Sequence, residues 1–267
     1  MRFIEQFKGI IESVIVQNEL NFVLNQYVKK PFINYFGVNY NDDNLVSVKL
    51  YFSFFQYPSD EMFERFNVSN EDLVLIRENW MPSESYDYMH QGLTFGLKCY
   101  LKDGEIKVNK YFHFRSPIKK QVKPNFIKIT DVEPDNHPGF CVEYNFTNKE
   151  RKNYYYYSTK ANLEVLLSEF GLAKEEASKI SLIEYTESNI EKKINIIYNK
   201  AEDILNYLKN SKNQNIVQFN KYLFDKYGLY FFGPGLRYKS STKAIYYVTK
   251  NSFYGLHEEQ TLKLFLN

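Results

Sequence analysis

Cations and tyrosines recur two residues apart in several stretches of this chain: Lys49 and Tyr51, Lys98 and Tyr100, Lys107 with Asn109 and Tyr111, and Arg151 with Asn153, Tyr155 and Tyr157. Successive side chains of an extended strand point to opposite faces, so residues two apart share one. Each stretch would then present ammonium or guanidinium groups and phenol rings to the same side. Such groups hold an anion through charge-assisted hydrogen bonds. An ordinary solvent face would more often carry Glu, Thr and mixed charge, so this face looks selected to meet an anion.

The stretch that fixes the register is residues 93–115, LTFGLKCYLKDGEIKVNKYFHFR. Asp103-Gly104 suits a two-residue type I′ turn, which needs positive φ at both central positions and matches the twist of the flanking strands. That turn sets Tyr100 opposite Lys107, Lys98 opposite Asn109, Gly96 opposite Tyr111 and Thr94 opposite His113. The other face carries Leu101, Ile106, Cys99, Val108, Phe95, Phe112, Leu93 and Phe114, with Lys110 opposite Leu97 as its exception. One face is thus apolar and the other carries cations and tyrosines. The pattern predicts that Lys49, Lys98, Lys107 and Tyr111 point to an interior and that Val48, Leu50, Phe95 and Phe112 pack beneath helices.

The elements that must carry these residues follow from periodicity and breakers. Phe3, Phe7, Ile10 and Val14 recur at helical spacing, which predicts one or two amphipathic helices over residues 2–28, ended before Pro31. Hairpins are predicted at 32–40 with 45–55, 93–115, 139–146 with 151–158, 180–186 with 193–198, and 229–239 with 242–250. Short helices are predicted at 59–66, 70–78, 160–170, 173–178, 201–209 and 216–227, and a closing helix or tail at 258–266. A proline-rich connection without a helix occupies 116–138. The repeating unit is a helical stretch followed by a β-hairpin, five times over. The expectation is one domain over residues 1–267, an α+β fold with a ten-stranded antiparallel barrel of five hairpins, apolar outside beneath surrounding helices and polar towards a solvent-filled lumen. The parallel α/β barrel, whose interior is packed with branched apolar side chains, does not fit.

A formal net charge of +2 on 267 residues argues against a general nucleic-acid binder, which usually shows a basic excess. The two cysteines, Cys99 and Cys141, show no metal-ligand spacing and suit a reducing compartment. Glu5, Lys8, Glu12 and Glu19 interrupt the apolar N-terminal stretch, so neither a secretory leader nor a membrane span is expected there. The expected setting is cytoplasmic, without a membrane or nucleic-acid partner. Tyr (24) and Phe (23) are abundant, but coding bias alone could supply that excess, so position rather than number carries the argument.

This organisation, with SVKLYFSFFQYP carrying Ser47, Lys49, Tyr51 and Pro58, resembles the ABBA-type aromatic prenyltransferases, in particular the cyanobactin peptide and fungal indole enzymes. The resemblance spans about residues 2–250 and implies the PT-barrel fold. It also implies transfer of a short isoprenoid, C5 or C10, from its diphosphate to an electron-rich acceptor, either an aromatic small molecule or a Tyr- or Trp-type side chain of a peptide. In that family Lys-x-Tyr strands hold the prenyl diphosphate and shield the allylic cation. Carried onto this sequence, the role falls to Lys49, Tyr51, Lys98, Tyr100, Lys107, Asn109, Tyr111, Arg151, Tyr155 and Tyr157, with Asn195 and Arg237 from the fourth and fifth hairpins. The first strand has Asn34, Tyr35 and Asn39 but not the Glu with which indole-modifying members bind the indole N–H, which speaks against indole as acceptor. No Asp-Asp-x-x-Asp box is present, so any Mg²⁺ is expected to ride on the prenyl diphosphate.

His113, on the lumen face near Thr94, and Glu143, between Val142 and Tyr144, are the candidate proton acceptors. Each residue has a plainer reading. One strand lysine is most often a solvated face, a run of tyrosines a cross-strand ladder, and a lone histidine a hydrogen-bonded structural group. The joint pattern across hairpins carries the functional reading. Its rival is a non-catalytic β-barrel that binds a polyanionic or hydrophobic small ligand.

Overall fold

The computed structural model describes residues 2–25, 33–54, 59–79, 92–115, 141–145, 150–158, 163–187, 192–198, 203, 206–207, 210 and 213–249. The proline-rich connection and the expected closing helix or tail lie outside them, as does most of the helix expected at 201–209.

Ten strands are formed: β1 (Ile33–Tyr40), β2 (Leu45–Phe54), β3 (Gly92–Lys102), β4 (Glu105–Arg115), β5 (Cys141–Asn145), β6 (Glu150–Ser158), β7 (Ile180–Glu187), β8 (Lys192–Tyr198), β9 (Leu229–Arg237) and β10 (Lys243–Thr249). Each pairs antiparallel with its neighbour in sequence, and β10 returns to β1, so the sheet closes on itself. Each of the ten described strands thus has a neighbour on both sides, so none is an edge strand. The seam is thinnest between β8 and β9, where Lys193 faces Arg237, Ile194 faces Leu236 and Asn195 faces Gly235. Asp103 and Gly104 have φ of 55° and 82°, the left-handed values that a type I′ turn demands. The register of β3 with β4 accordingly sets Tyr100 against Lys107 and Gly96 against Tyr111.

The N-terminal stretch forms two helices, α1 (Arg2–Ile11) and α2 (Val14–Asn25). The Ser13 hydroxyl, between them, donates to the Ile10 carbonyl at 2.8 Å, the back-bonding by which Ser competes with helix continuation. Helix α3 (Asp60–Arg65) begins at Ser59, whose hydroxyl accepts from the Met62 N–H. After α4 (Asn70–Asn79) and α5 (Leu163–Glu169), the segment expected to be helical at 173–178 is instead a 3₁₀ turn, Lys174–Lys179. Helix α6 (Gln214–Tyr227) ends at Gly228 in the left-handed conformation, φ 63°, the usual helix stop.

Two apolar layers hold the outside of the barrel. Phe36, Val38, Val48, Leu50, Phe52, Phe95, Leu97 and Cys99 are fully buried against Phe3, Phe7 and Ile10 of α1, Val16, Leu20 and Val23 of α2, Met62 and Phe63 of α3, and Ile216, Phe219 and Leu223 of α6. A smaller cluster sets Ile183, Tyr185, Ile194 and Ile196 against Leu167 of α5. The expected fold class is corrected in its outer layer. Helices do not surround the barrel among the described residues: α1 packs on β2 and β3, α2 on β4 and α6 on β9, while the principal contacts of β5 and β6 are with strands alone. The expected solvent-filled lumen is corrected as well, because inward-facing tyrosine rings occupy part of it.

Candidate functional site

The inner wall is built by alternation. Because Val48, Leu50 and Phe52 are drawn under the helices, Ser47, Lys49 and Tyr51 must face inward, and the register carries this row across the sheet. Gly37 pairs with Lys49, Lys49 with Lys98, and Lys98 with Asn109. One level along, Tyr51 pairs with Gly96 and Gly96 with Tyr111. At the level nearer the hairpin turns, Asn39 pairs with Ser47 and Ser47 with Tyr100. The Asn39 amide donates to the Ser47 hydroxyl at 2.7 Å, with both residues buried.

Lys49 and Lys98 are thus direct cross-strand neighbours, each half-buried. Two cations so placed can offer an anion charge-assisted hydrogen bonds from adjacent strands. Lys98 Nζ lies 5.6 Å from the centre of the Tyr100 ring, whose hydroxyl donates to Asn109 Oδ1 at 3.2 Å. Beside this pair Tyr51, Tyr111 and Tyr246 form a buried aromatic layer, each 4 % exposed. The Tyr51 ring stands edge-on to Tyr111 at 5.8 Å and tilted to Tyr246 at 6.4 Å. Tyr111 covers Gly96 so closely that a Cβ there would meet the ring at 2.3 Å, and Tyr246 covers Gly37 at 2.7 Å. Inward glycines therefore make room for inward tyrosines.

No protein-family model matches this chain, and no curated protein matches it. The site stands on its geometry.

Two residues that the sequence reading passed over complete that geometry. Lys193, only 5 % exposed, donates to the Tyr246 hydroxyl and lies 4.7 Å from the centre of its ring. Its side chain and that of Asn195 lie together against Gly235, where a Cβ would meet Asn195 Oδ1 at 2.7 Å and Lys193 Cε at 2.9 Å. Arg237, half-buried, is the register partner of Lys193. The signal was present in the sequence, since Lys193-x-Asn195 repeats the spacing of Lys107-x-Asn109.

Other expected members fall elsewhere. Lys107 is exposed and ion-paired with Glu105, not pointed into the lumen. The hydrogen bond, and after it the charge, of Lys107 holds the Glu105 carboxyl below the usual carboxylate range, and the same bond and charge raise the Lys107 amine. Arg151 pairs with Tyr144, Tyr144 with Phe112 and Phe112 with Phe95. Arg151 thus shares a register row with the helix-facing Phe95, and Tyr155 and Tyr157 pair with the outward-packed Tyr185 and Ile183. His113 and Glu143 are direct register partners.

Lys110, the apparent exception on the apolar face, reaches Glu19 of α2 at 3.1 Å and the Arg65 carbonyl at 3.3 Å, while Arg65 binds the same carboxylate at 2.9 Å. It is a structural tie between barrel and helices. Cys99 is buried beneath the same helices, and burial, with the nearby Glu19 second, pushes its thiol well up. Among the described residues no cluster of His, Cys, Asp and Glu is arranged to hold a metal, and no helix is long and apolar enough to cross a membrane.

Proposed function

We propose that this protein binds a prenyl diphosphate inside the barrel and transfers its C5 or C10 isoprenoid to an electron-rich aromatic acceptor, either a small molecule or a Tyr- or Trp-type side chain of a peptide. The observation that carries the reading is the Lys49–Lys98 pair bordered by the Tyr51, Tyr111 and Tyr246 layer. In the proposed reaction the C–O bond to the diphosphate breaks with its electron pair leaving on oxygen. The lysines take up the developing anion, a preorganised electrostatic contribution. Tyrosine faces next to them stabilise the allylic cation, by about 0.5–2 kcal/mol each when desolvated, and keep water from capturing it. The acceptor ring forms the new C–C bond and loses a proton, for which the register partners His113 and Glu143 are the candidate acceptors. Any Mg²⁺ would arrive on the diphosphate, since phosphate oxygens bind this ion with few protein carboxylates.

The second reading, a non-catalytic barrel for a polyanionic ligand, draws on the burial of the tyrosine layer, which narrows the space left for an acceptor. Calorimetric titration of dimethylallyl diphosphate separates the two when joined to a product assay by mass. Lys49→Met and Lys98→Met should each remove a charge-assisted contact worth about 1.5–3 kcal/mol and weaken binding by about one to two powers of ten. A prenylated product from a panel of phenols and aromatic peptides supports transfer. Binding with no product across the panel favours the second reading, and wild-type affinity in both variants would end both.

A further inference from the structure

Tyr246 joins the aromatic layer from β10, and its ring lies on Gly37 of β1, the register partner of Lys49. A side chain two strands away holds that ring. Lys193 of β8 donates to the Tyr246 hydroxyl, and to do so it must cross the intervening strand β9. It crosses at Gly235, where a Cβ would stand 2.9 Å from Lys193 Cε, and the register partner of Gly235 on β10 is the small Ala244. Both ends of the contact are buried. A hydrogen bond donated by an ammonium group is stronger than one between neutral groups, and away from water it is stronger still. Because a phenol is rigid, holding its oxygen fixes the long axis of its ring.

We propose that Lys193 is a positioning residue of the donor site: acting through Tyr246, it holds that ring over Gly37 and keeps the aromatic layer closed beside Lys49 while the allylic cation exists. This rests on the transferase reading and deepens it. Once the C–O bond of the donor has broken, the cation has two fates. The acceptor ring captures it and loses a proton, or water adds its oxygen, loses a proton to solvent and leaves a C5 alcohol. A tyrosine ring that stays in place favours the first by shielding the cation from water. Lys193 sets the balance without touching the reacting atoms.

Three variants test this. Lys193→Met removes the donor and keeps the length of the chain, Lys193→Gln keeps a donor without the charge, and Tyr246→Phe removes the hydroxyl that is held. All are first checked for folding by thermal melting. One readout needs no ligand: acetylation of Tyr246 by N-acetylimidazole, followed by mass spectrometry of the peptide that contains it. Tyr246 should be protected in wild type, labelled about tenfold faster in Lys193→Met, as expected for loss of one charge-assisted hydrogen bond, and partly protected again in Lys193→Gln. The other readout is the ratio of C5 alcohol to prenylated product formed from dimethylallyl diphosphate and a phenolic acceptor. That ratio should rise about tenfold in Lys193→Met and in Tyr246→Phe alike, rise no further in the double variant because the two residues act as one unit, and fall back in Lys193→Gln. Affinity for dimethylallyl diphosphate, by calorimetry, should change by less than about threefold. Unchanged labelling in Lys193→Met overturns the proposal, and so does a loss of diphosphate affinity in Lys193→Met that Tyr246→Phe does not share, which would make Lys193 a direct ligand of the donor. If Lys193→Met does not fold, Tyr246→Phe decides, and an alcohol ratio equal to that of wild type overturns the proposal. If wild type forms neither alcohol nor prenylated product, the transferase reading falls, and the labelling alone decides whether Lys193 positions Tyr246.

Discussion

Lys107 and Lys110 are alike in charge, adjacent in the same strand pattern and opposite in role. Lys107 lies near the hairpin turn, exposed and paired with Glu105, and surface pairs of this kind contribute little. Lys110 is the more buried of the two and shares Glu19 with Arg65. Lys107→Ala should leave both the melting temperature and diphosphate affinity within error. Lys110→Ala removes a partner from a largely buried carboxylate, with an expected cost of about 1–3 kcal/mol, and should lower the melting temperature without touching ligand affinity. Thermal melting and calorimetry on the two variants check this, and a diphosphate defect in Lys107→Ala would place the donor site near the turns instead of beside Lys49. Gly235 belongs to the same scale. A methyl there meets Asn195 Oδ1 at 2.7 Å, Lys193 Cε at 2.9 Å and Ala244 Cβ at 3.0 Å, so Gly235→Ala should lower the melting temperature.

Elements are joined by a few side chains that serve two of them at once. Asn213 caps α6, its Oδ1 accepting from the Asn215 and Ile216 N–H groups at 3.0 and 3.3 Å. Its amide donates to the carbonyls of Asn41 and Asp42, at 3.1 and 3.3 Å, in the β1–β2 turn. Gln6 of α1 holds the other side of that turn, donating to Asn44 Oδ1 at 3.1 Å and accepting from the Leu45 N–H at 2.9 Å. Loss of a helix N-cap typically costs about 0.5–2 kcal/mol. Asn213→Ala loses the turn contacts as well, so its destabilisation in urea should lie at the upper end of that range, and Asn213→Asp, which keeps the cap but not the donors, should recover part of it. Equal midpoints for wild type and Asn213→Ala would show that the capping geometry contributes nothing.

Across the whole molecule the outer layers contain phenols that burial holds protonated beyond their ordinary range. Tyr40 and Tyr247 are buried with Phe36 and Phe219, and burial raises both hydroxyls well above their ordinary value of 10.0. Tyr207, which packs against both apolar clusters, is pushed up to about 12 by burial. A raised phenol favours the folded state fully below its unfolded value of 10.0. As pH rises beyond that, the unfolded chain loses the proton first and the advantage is lost on the way to the folded value. The melting temperature should therefore fall steadily from about pH 10 towards pH 12, and Tyr207→Phe, measured over the same range, should flatten the decline. A flat profile in wild type would show that these phenols are solvated.

Local features are legible in the sequence: the Asp103-Gly104 turn, the register of β3 on β4, that Lys49 and Tyr51 share a face, and that Lys98 and Tyr111 share one. Those follow from a two-residue turn and a two-residue period, both of which lie within one hairpin. The same logic misplaced Lys107, because alternation names a face and not a depth along the strand, and a lysine near the turn finds water and Glu105. Long-range pairing sets the closure of β10 on β1, the meeting of Lys49 with Lys98, the filling of the lumen by Tyr51, Tyr111 and Tyr246, and the meeting of Lys193 with Tyr246 across 53 residues of chain. Contacts of that span depend on how the sheet curves and where its seam falls, which no short window of residues encodes.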